Sequence, residues 1–421
     1  MTSAPGYWQS PWPGEDNGPD RLQVSNLRVG RDSIARSMSR LAPVSTMVVL
    51  RDPGEVFLLC HTGGDDAVSW VERIDPRSLA VIERSKDLSG GPTWPGGIAA
   101  HANGSLYVVF GRYLHHLSST LEVLDSRELP RQRPYNSFVV LPRGEIVTKD
   151  FGGARPGEDT NAIRSDCEVL VIDPVTLATR GSITLPEASV ARLSASGDEI
   201  YVVGVTRLFR LHWRGGTLSL DEDFDVLYRT KEGEGYGWDA VISDEHVWFL
   251  DNGVGSETYG GSLLGRGVSR SAQQLFQIDR VTCEQRRWEV FHEGPSIVAN
   301  PPAIDVTRSI AIGYDSSHGV VSAFDVSREQ RAPEWSIRVN HAMHPIMLSS
   351  SGLVMLNDFN VEAQREDIVL VDVKTGELVH RVPTESPLQS VLFASEGFDN
   401  DVYVCSFSHV SRISFENVPV N

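Results

Sequence analysis

SVLFASEGFDNDVYVCSFSHVSRISFE, residues 390–416, holds the decision about the fold. It reads as three short strands parted by turn residues, and almost no chain follows Glu416 to supply a fourth. The same unit recurs upstream as DPGEVFLLC at 52, ANGSLYVVF at 102, PRGEIVTKD at 142, ASGDEIYVV at 195, SDEHVWFLD at 243, VTRSIAIGY at 306 and SSGLVMLND at 350, which with FDNDVYVCS at 398 makes eight copies. Each is followed by a second apolar element that often ends in Asp: VERID at 71, VLVID at 169, LFQID at 275, VSAFD at 321 and VLVDV at 369. The copies are spaced roughly 40 to 60 residues apart, the period of a propeller blade.

Val, Tyr, Phe, Ile and Trp dominate these runs, turn residues punctuate them, and no long stripe at helical spacing interrupts them. A sheet built this way cannot bury its faces alone, so radial stacking of blades is the economical solution. The expectation is an all-β protein, a β-propeller of eight four-stranded blades, with seven blades and one copy as a cap as the alternative. Because the last copy lacks an outer strand, an N-terminal strand must close the ring, and RLQVSNLRV at 21–29 is the candidate. Residues 1–20, rich in Pro and Gly, read as a tail or surface strap, and 21–421 as one propeller domain. The Asp of each second element (Asp75, Asp173, Asp279, Asp325, Asp372) reads as a hairpin-turn residue bonding local backbone.

Composition narrows the function. Of 421 residues, 40% are hydrophobic and 22% charged, enough apolar material for a core. The net charge of −18 repels a phosphate backbone and anionic membranes, so neither nucleic acid nor membrane is expected as a partner. Cys60, Cys167, Cys283 and Cys405 lie far apart without a CxxC, which removes zinc-ribbon and dithiol readings. The opening MTSAPGYWQSPWPGEDNG has neither a basic nor an apolar region of a secretory signal, so the expected location is cytoplasmic.

In a propeller, residues just before the innermost strands and just after the second strands converge at one end of the central channel. Before the innermost strands stand Trp94, Asn136, Trp238 with Asp239, Asn300, His341 and His344; after the second stand His61, Asp150, Asp251 with Asn252, Asp315 with His318, and Asp358 with Asn360. Two long Gly-rich insertions, 151–167 and 252–273, lie at the same end and read as covers over a pocket. Asp239, His344 and His341 are the candidate catalytic groups. Trp94, Asn136, Trp238, Asp150, Asp251, Asp315 and Asp358 are candidate substrate contacts. Carboxylates gathered in one pocket repel each other. Asp239→Asn is therefore expected to abolish activity and leave the melting temperature unchanged or higher.

VIDPVTLATRGSITL at 171–185 and LVDVKTGELVHRV at 370–382 resemble repeats of the PQQ-like and YVTN propeller superfamily, a likeness that runs over nearly the whole chain and implies the fold alone. The quinone-docking motif and vicinal Cys pair of that superfamily's dehydrogenases are missing, so no quinone cofactor is expected. PYNSFVVLPRGEIVTKDF at 134–151, GWDAVISDEHVWFLDNG at 237–253 and NPP at 300 are similar to strands of the gluconolactonase and SMP-30 group. That likeness implies a divalent cation, calcium by preference, on Asn136, Asp239 and Asn300. The functional expectation is a propeller that binds a small molecule at the channel mouth, as a metal-assisted hydrolase or lyase. A non-catalytic scaffold for a protein partner is the alternative.

Overall fold

In blade 1 the innermost strand, Ser45–Leu50, and the second, Val56–His61, are buried along their whole length; the third, Ala67–Ile74, alternates, and the outermost, Val81–Arg84, faces solvent. This gradient explains the sequence pattern. Inner strands are covered on both faces by neighbouring blades and read as unbroken apolar runs, whereas outer strands need little apolar character. The computed structural model describes residues 4–416 apart from 156–157, 160–164, 257–258 and 260. Over these residues eight antiparallel sheets form, each repeating the four-strand meander. The innermost strands of blades 2 to 8 are Gly97–Ala100, Tyr135–Val140, Ser194–Ser196, Val241–Ile242, Ala303–Asp305, Ile346–Leu348 and Ala394–Glu396. The chain is an eight-bladed β-propeller.

The ring closes as expected, with a different strand. Ile34–Leu41 pairs antiparallel with the third strand of blade 8, His409–Glu416, from Ile34 opposite Glu416 to Leu41 opposite His409. Residues 21–29 do not close it. The reason lies in the burial gradient: an outermost strand is exposed, so the closing segment IARSMSRL carries a weak strand signal. One apolar cluster then runs through blades 7, 8 and 1, with Leu370, Tyr403 and Leu58 among its members.

The hairpin Asp residues behave as read. Asp75, Asp173, Asp279, Asp325 and Asp372 each accept from backbone amides two or three residues ahead. Those bonds, led at Asp325 by the Ser327 hydroxyl, hold the carboxyls below the usual range.

The N-terminal segment is more than a surface strap. It runs across the channel end opposite the strand starts, where the carbonyls of Trp12, Pro13, Pro19, Asp20 and Gln23 accept from the innermost-strand amides of Leu50, Ala100, Ala195, Ile242 and Met347, at 2.7–2.9 Å. Within it Glu15, Asp16 and Arg21 are buried. Asp16, Asn17, Arg21 and Gln23 all take positive φ, a cost that is tolerated only where contacts dictate the path. Arg21 dictates it: its guanidinium donates to Leu193 O, Asp16, Glu15 and Ser137 Oγ at 2.6–2.9 Å. Gly97 permits the approach, since a Cβ there would overlap Glu15 Oε1.

Candidate functional site

At the strand-start end the channel widens into a cavity of about 950 Å³. Its wall is assembled from distant copies: His61 from blade 1, Trp94 ahead of blade 2, Arg192 ahead of blade 4, Trp238 ahead of blade 5, Asn300 ahead of blade 6 and Leu392 ahead of blade 8. Both insertions reach it. The blade 3 insertion supplies Arg155, which crosses to blade 1 by pairing with Asp65 at 2.6 Å while holding Glu158 at 3.1 Å. The blade 5 insertion crosses toward blade 8, where Tyr259 stacks on Phe407 and Leu263 N donates to Gln389 Oε1 at 2.7 Å. Residues 156–157, 160–164, 257–258 and 260 of these covers lie outside the described residues.

Arg192 anchors the floor. Its backbone N–H and Nη1 donate to the two oxygens of Asp239 at 2.6 and 3.2 Å, and its guanidinium lies 4.7 Å from the centroid of the Phe393 ring. Beneath it a chain of charges runs down the channel. Asp239 Oδ2 stands 4.0 Å from His344 Nε2, and His344 Nδ1–H donates to Asp16 at 2.8 Å. Asp16 in turn accepts from Arg21. Burial alone would lift the Asp16 carboxyl, but His344 and then Arg21 outweigh it and hold it below the ordinary value. The cavity floor is thus tied electrostatically to the strap at the far end.

The sequence candidates divide by position. His61, Trp94, Trp238 and Asn300 line the cavity, whereas Asn136, Asp239, His341 and His344 are buried away from its wall. Asn136 Nδ2 donates to Val190 O at 3.0 Å. His341 meets Tyr314 edge-on and accepts from Asn357 N at 3.3 Å; burial pushes it down to about 3. The four rim carboxylates expected to touch substrate do not line the cavity. They clamp backbone instead, because a second strand that ends at the channel mouth leaves amides of adjoining segments to be satisfied. Asp150 accepts from Glu168 N at 2.6 Å, Asp251 from Gln274 N at 2.8 Å, Asp315 from Ser317 N at 2.9 Å and Asp358 from Asn340 N at 2.8 Å. His318 donates to Asp315, and Asn252 pins the second insertion by accepting from Gly235 N at 2.7 Å and donating to Ser296 Oγ at 2.6 Å. Asn360 accepts from Ala363 N within its own turn. Lys149, fully buried, gives its ammonium to the Asp150 and Ser189 carbonyls, and burial pushes it below the lysine range.

Three buried hydrogen-bonding atoms of the cavity-lining residues have no partner among the described residues: His61 Nε2, Trp238 Nε1 and Arg192 Nε. His61 Nδ1–H donates to Thr62 O at 2.7 Å and burial pushes the ring down to about 4. At neutral pH Nε2 therefore holds a lone pair.

The three residues expected to hold a cation, Asn136, Asp239 and Asn300, do not fit one as arranged. Asp239 gives both oxygens to Arg192, whose guanidinium already supplies the positive charge. Asn300 Nδ2 donates to the carbonyls of Ala342 and Val391. A calcium ion asks for six to eight oxygens. Among the described residues no group of three or more His, Cys, Asp or Glu is placed to hold a metal ion.

No family model and no curated protein sequence matches the chain. Solved structures do. The Dos1 propeller superposes with a TM-score of 0.56 at 9% identity, covering 90% of this chain and 94% of its own. The computationally designed Ika8 protein gives 0.54 at 12% identity, covering 93% and 98%. BamB from Moraxella catarrhalis gives 0.41 at 12% identity, covering 77% and 95%. The likeness to the Dos1 propeller and to Ika8 shows the fold. At such identities it says nothing of the cavity, whose chemistry rests on this chain's own residues.

Proposed function

We propose that the protein binds a small molecule in the cavity at the strand-start end of the channel, beneath the two insertions. One observation carries the reading: a cavity of about 950 Å³ lined by several blades and both insertions, whose wall residues keep buried hydrogen-bonding atoms without a partner among the described residues. That volume lies within the range of small-molecule sites, roughly 300 to 1,000 Å³. Fixed aromatic walls with a few unpartnered polar atoms are what such sites use to orient a ligand. Hydrolase or lyase chemistry would extend the reading, and His61 is the imidazole that lines the cavity.

A thermal-shift screen of the protein against a metabolite library tests the reading, with Leu388→Trp as the control. Leu388 is half-buried on the cavity wall, so an indole there fills space without reaching the core. At least one compound is expected to raise the melting temperature of the parent and not of the variant. A library without a single such compound would overturn small-molecule binding and leave the partner-scaffold reading standing. Any ester or lactone turnover should be lost in His61→Gln.

A further inference from the structure

The unpartnered edge of Arg192 points to the chemical class of the ligand. We propose that the cavity receives the carboxylate of a small, apolar-bodied monoacid on the Nε and Nη2 edge of Arg192. The inference rests on the small-molecule reading above and goes one step beyond it.

Three sides of the Arg192 guanidinium are accounted for. Its Nη1 is bound to Asp239, whose other oxygen takes the Arg192 backbone N–H, and one face of its plane is covered by Phe393. The side chain is therefore fixed, at 6% exposure, before any ligand arrives. Its remaining edge, Nε with Nη2, makes no hydrogen bond among the described residues, and Nε is buried. That edge presents two parallel N–H groups, the geometry that matches the two oxygens of a carboxylate. A buried guanidinium Nε without a partner is costly, and a carboxylate relieves it.

The rest of the wall limits the ligand further. Trp238 Nε1–H is a second donor without a partner, and neutral His61 Nε2 can accept from a ligand hydroxyl. Trp94, Val391, Leu392 and Phe407 supply an apolar wall for the body. Charge argues against a polyanion. Arg192 is already balanced by Asp239, and at the mouth Arg155 faces both Asp65 and Glu158. One negative charge is offered one fork, and a second would meet carboxylates.

Matched probes that differ only in the head group test this: 3-phenylpropanoate, 3-phenylpropanamide and 3-phenylpropylamine, with octanoate and octanamide as a second body. They are titrated against the full chain by calorimetry and thermal shift. The carboxylates are expected to bind at least about tenfold more tightly than the amides and amine, as a charge-assisted pair requires. Arg192→Lys keeps the charge and loses the fork, and is expected to weaken the carboxylates by about tenfold or more while leaving the amides unchanged. Because the parent protein alone compares head groups, the test survives a variant that fails to fold. Equal binding of acid and amide, or undiminished acid binding by Arg192→Lys, would overturn the carboxylate assignment while small-molecule binding stands. If none of the five probes binds a protein that responds to the metabolite library, the assignment fails too; silence in both experiments overturns both readings.

Discussion

Asp239 was expected from sequence to be a strained charge whose removal leaves the fold unharmed, and its surroundings reverse that expectation. Its side chain is fully buried against a guanidinium, and breaking one partner of such a pair leaves the other charge uncompensated. Asp239→Asn should lower stability by about 2 to 3 kcal/mol in denaturant unfolding, toward the low end for a broken buried pair because the amide oxygen still accepts one bond. Adding Arg192→Met should cost less than the sum of the two single changes, and strict additivity would show the pair to be independent. His61 makes a second, pH-dependent case. Its folded pKa of about 4 lies below the unfolded value near 6.5, so the stability it contributes is full above pH 6.5 and is lost as pH falls toward 4. The stability difference between parent and His61→Gln should therefore favour the parent more at pH 7.5 than at pH 4.5, by on the order of 3 kcal/mol at most. A difference independent of pH would show that His61 is not held neutral by its burial. At this scale the sequence pointed to part of the cavity wall and missed its anchor. Trp94, Trp238 and Asn300 were legible because slots before innermost strands converge, while Asn136, Asp239 and His344 stand in the same kind of slot but are buried behind the wall. Arg192 occupies the same slot, two residues ahead of Ser194, but a search for metal ligands and proton carriers passes over a guanidinium. Glu15, Asp16 and Arg21 gave no local sign, since their hydrogen-bond partners outside the strap lie 116 to 328 positions away.

The legibility of an element follows its burial. Inner strands announce themselves as apolar runs; the closing strand Ile34–Leu41 is mostly exposed, and its pairing is dictated by the empty edge of blade 8 rather than by its own residues. The insertions were legible from length alone, since no hairpin needs so many residues. Replacing 253–272 by a short Gly-Ser turn removes Tyr259 and Leu263, the latter a member of a small apolar cluster with Ile297, Ala299 and Ala342. The variant should keep its β-sheet circular dichroism, lose about 1 to 3 kcal/mol of stability, and bind cavity ligands more weakly. The strap behaves differently. Residues 1–20 read as a tail or surface strap, yet the first 18 of them include Glu15 and Asp16, the two carboxylates that neutralise Arg21. Deleting them strands a fully buried guanidinium and should cost about 3 to 5 kcal/mol, compared with little effect from deleting residues 1–5. Equal unfolding midpoints for both truncations would show the plug to be ornamental.

At the scale of the whole molecule the N-terminal forty residues perform two separable tasks, closing the ring and plugging its far end. The separation can be tested because Ile34 stands directly opposite Glu416 in the last blade. A two-residue hairpin can join such antiparallel neighbours. A permuted chain that starts at Ser45, runs to Glu416, turns and ends with Ile34–Leu41 keeps every strand of the eight blades and omits the strap. If closure is what makes the ring one cooperative unit, this chain should unfold in a single transition, because the blade residues of the apolar cluster spanning blades 7, 8 and 1 are kept and only Trp12, Leu27, Val29 and Ala42 leave it. It should nonetheless be less stable than the parent, by several kcal/mol: five innermost-strand amides lose the carbonyls that satisfied them, and His344 loses Asp16. The open far end would also admit water to the charges under the cavity floor, so burial would no longer shield the Arg192–Asp239 pair from salt. The permutant's stability should therefore fall more steeply with added sodium chloride than the parent's, where those groups are sealed. Two separate transitions would instead mean that the strap, and not the closing strand, holds the first blade to the last.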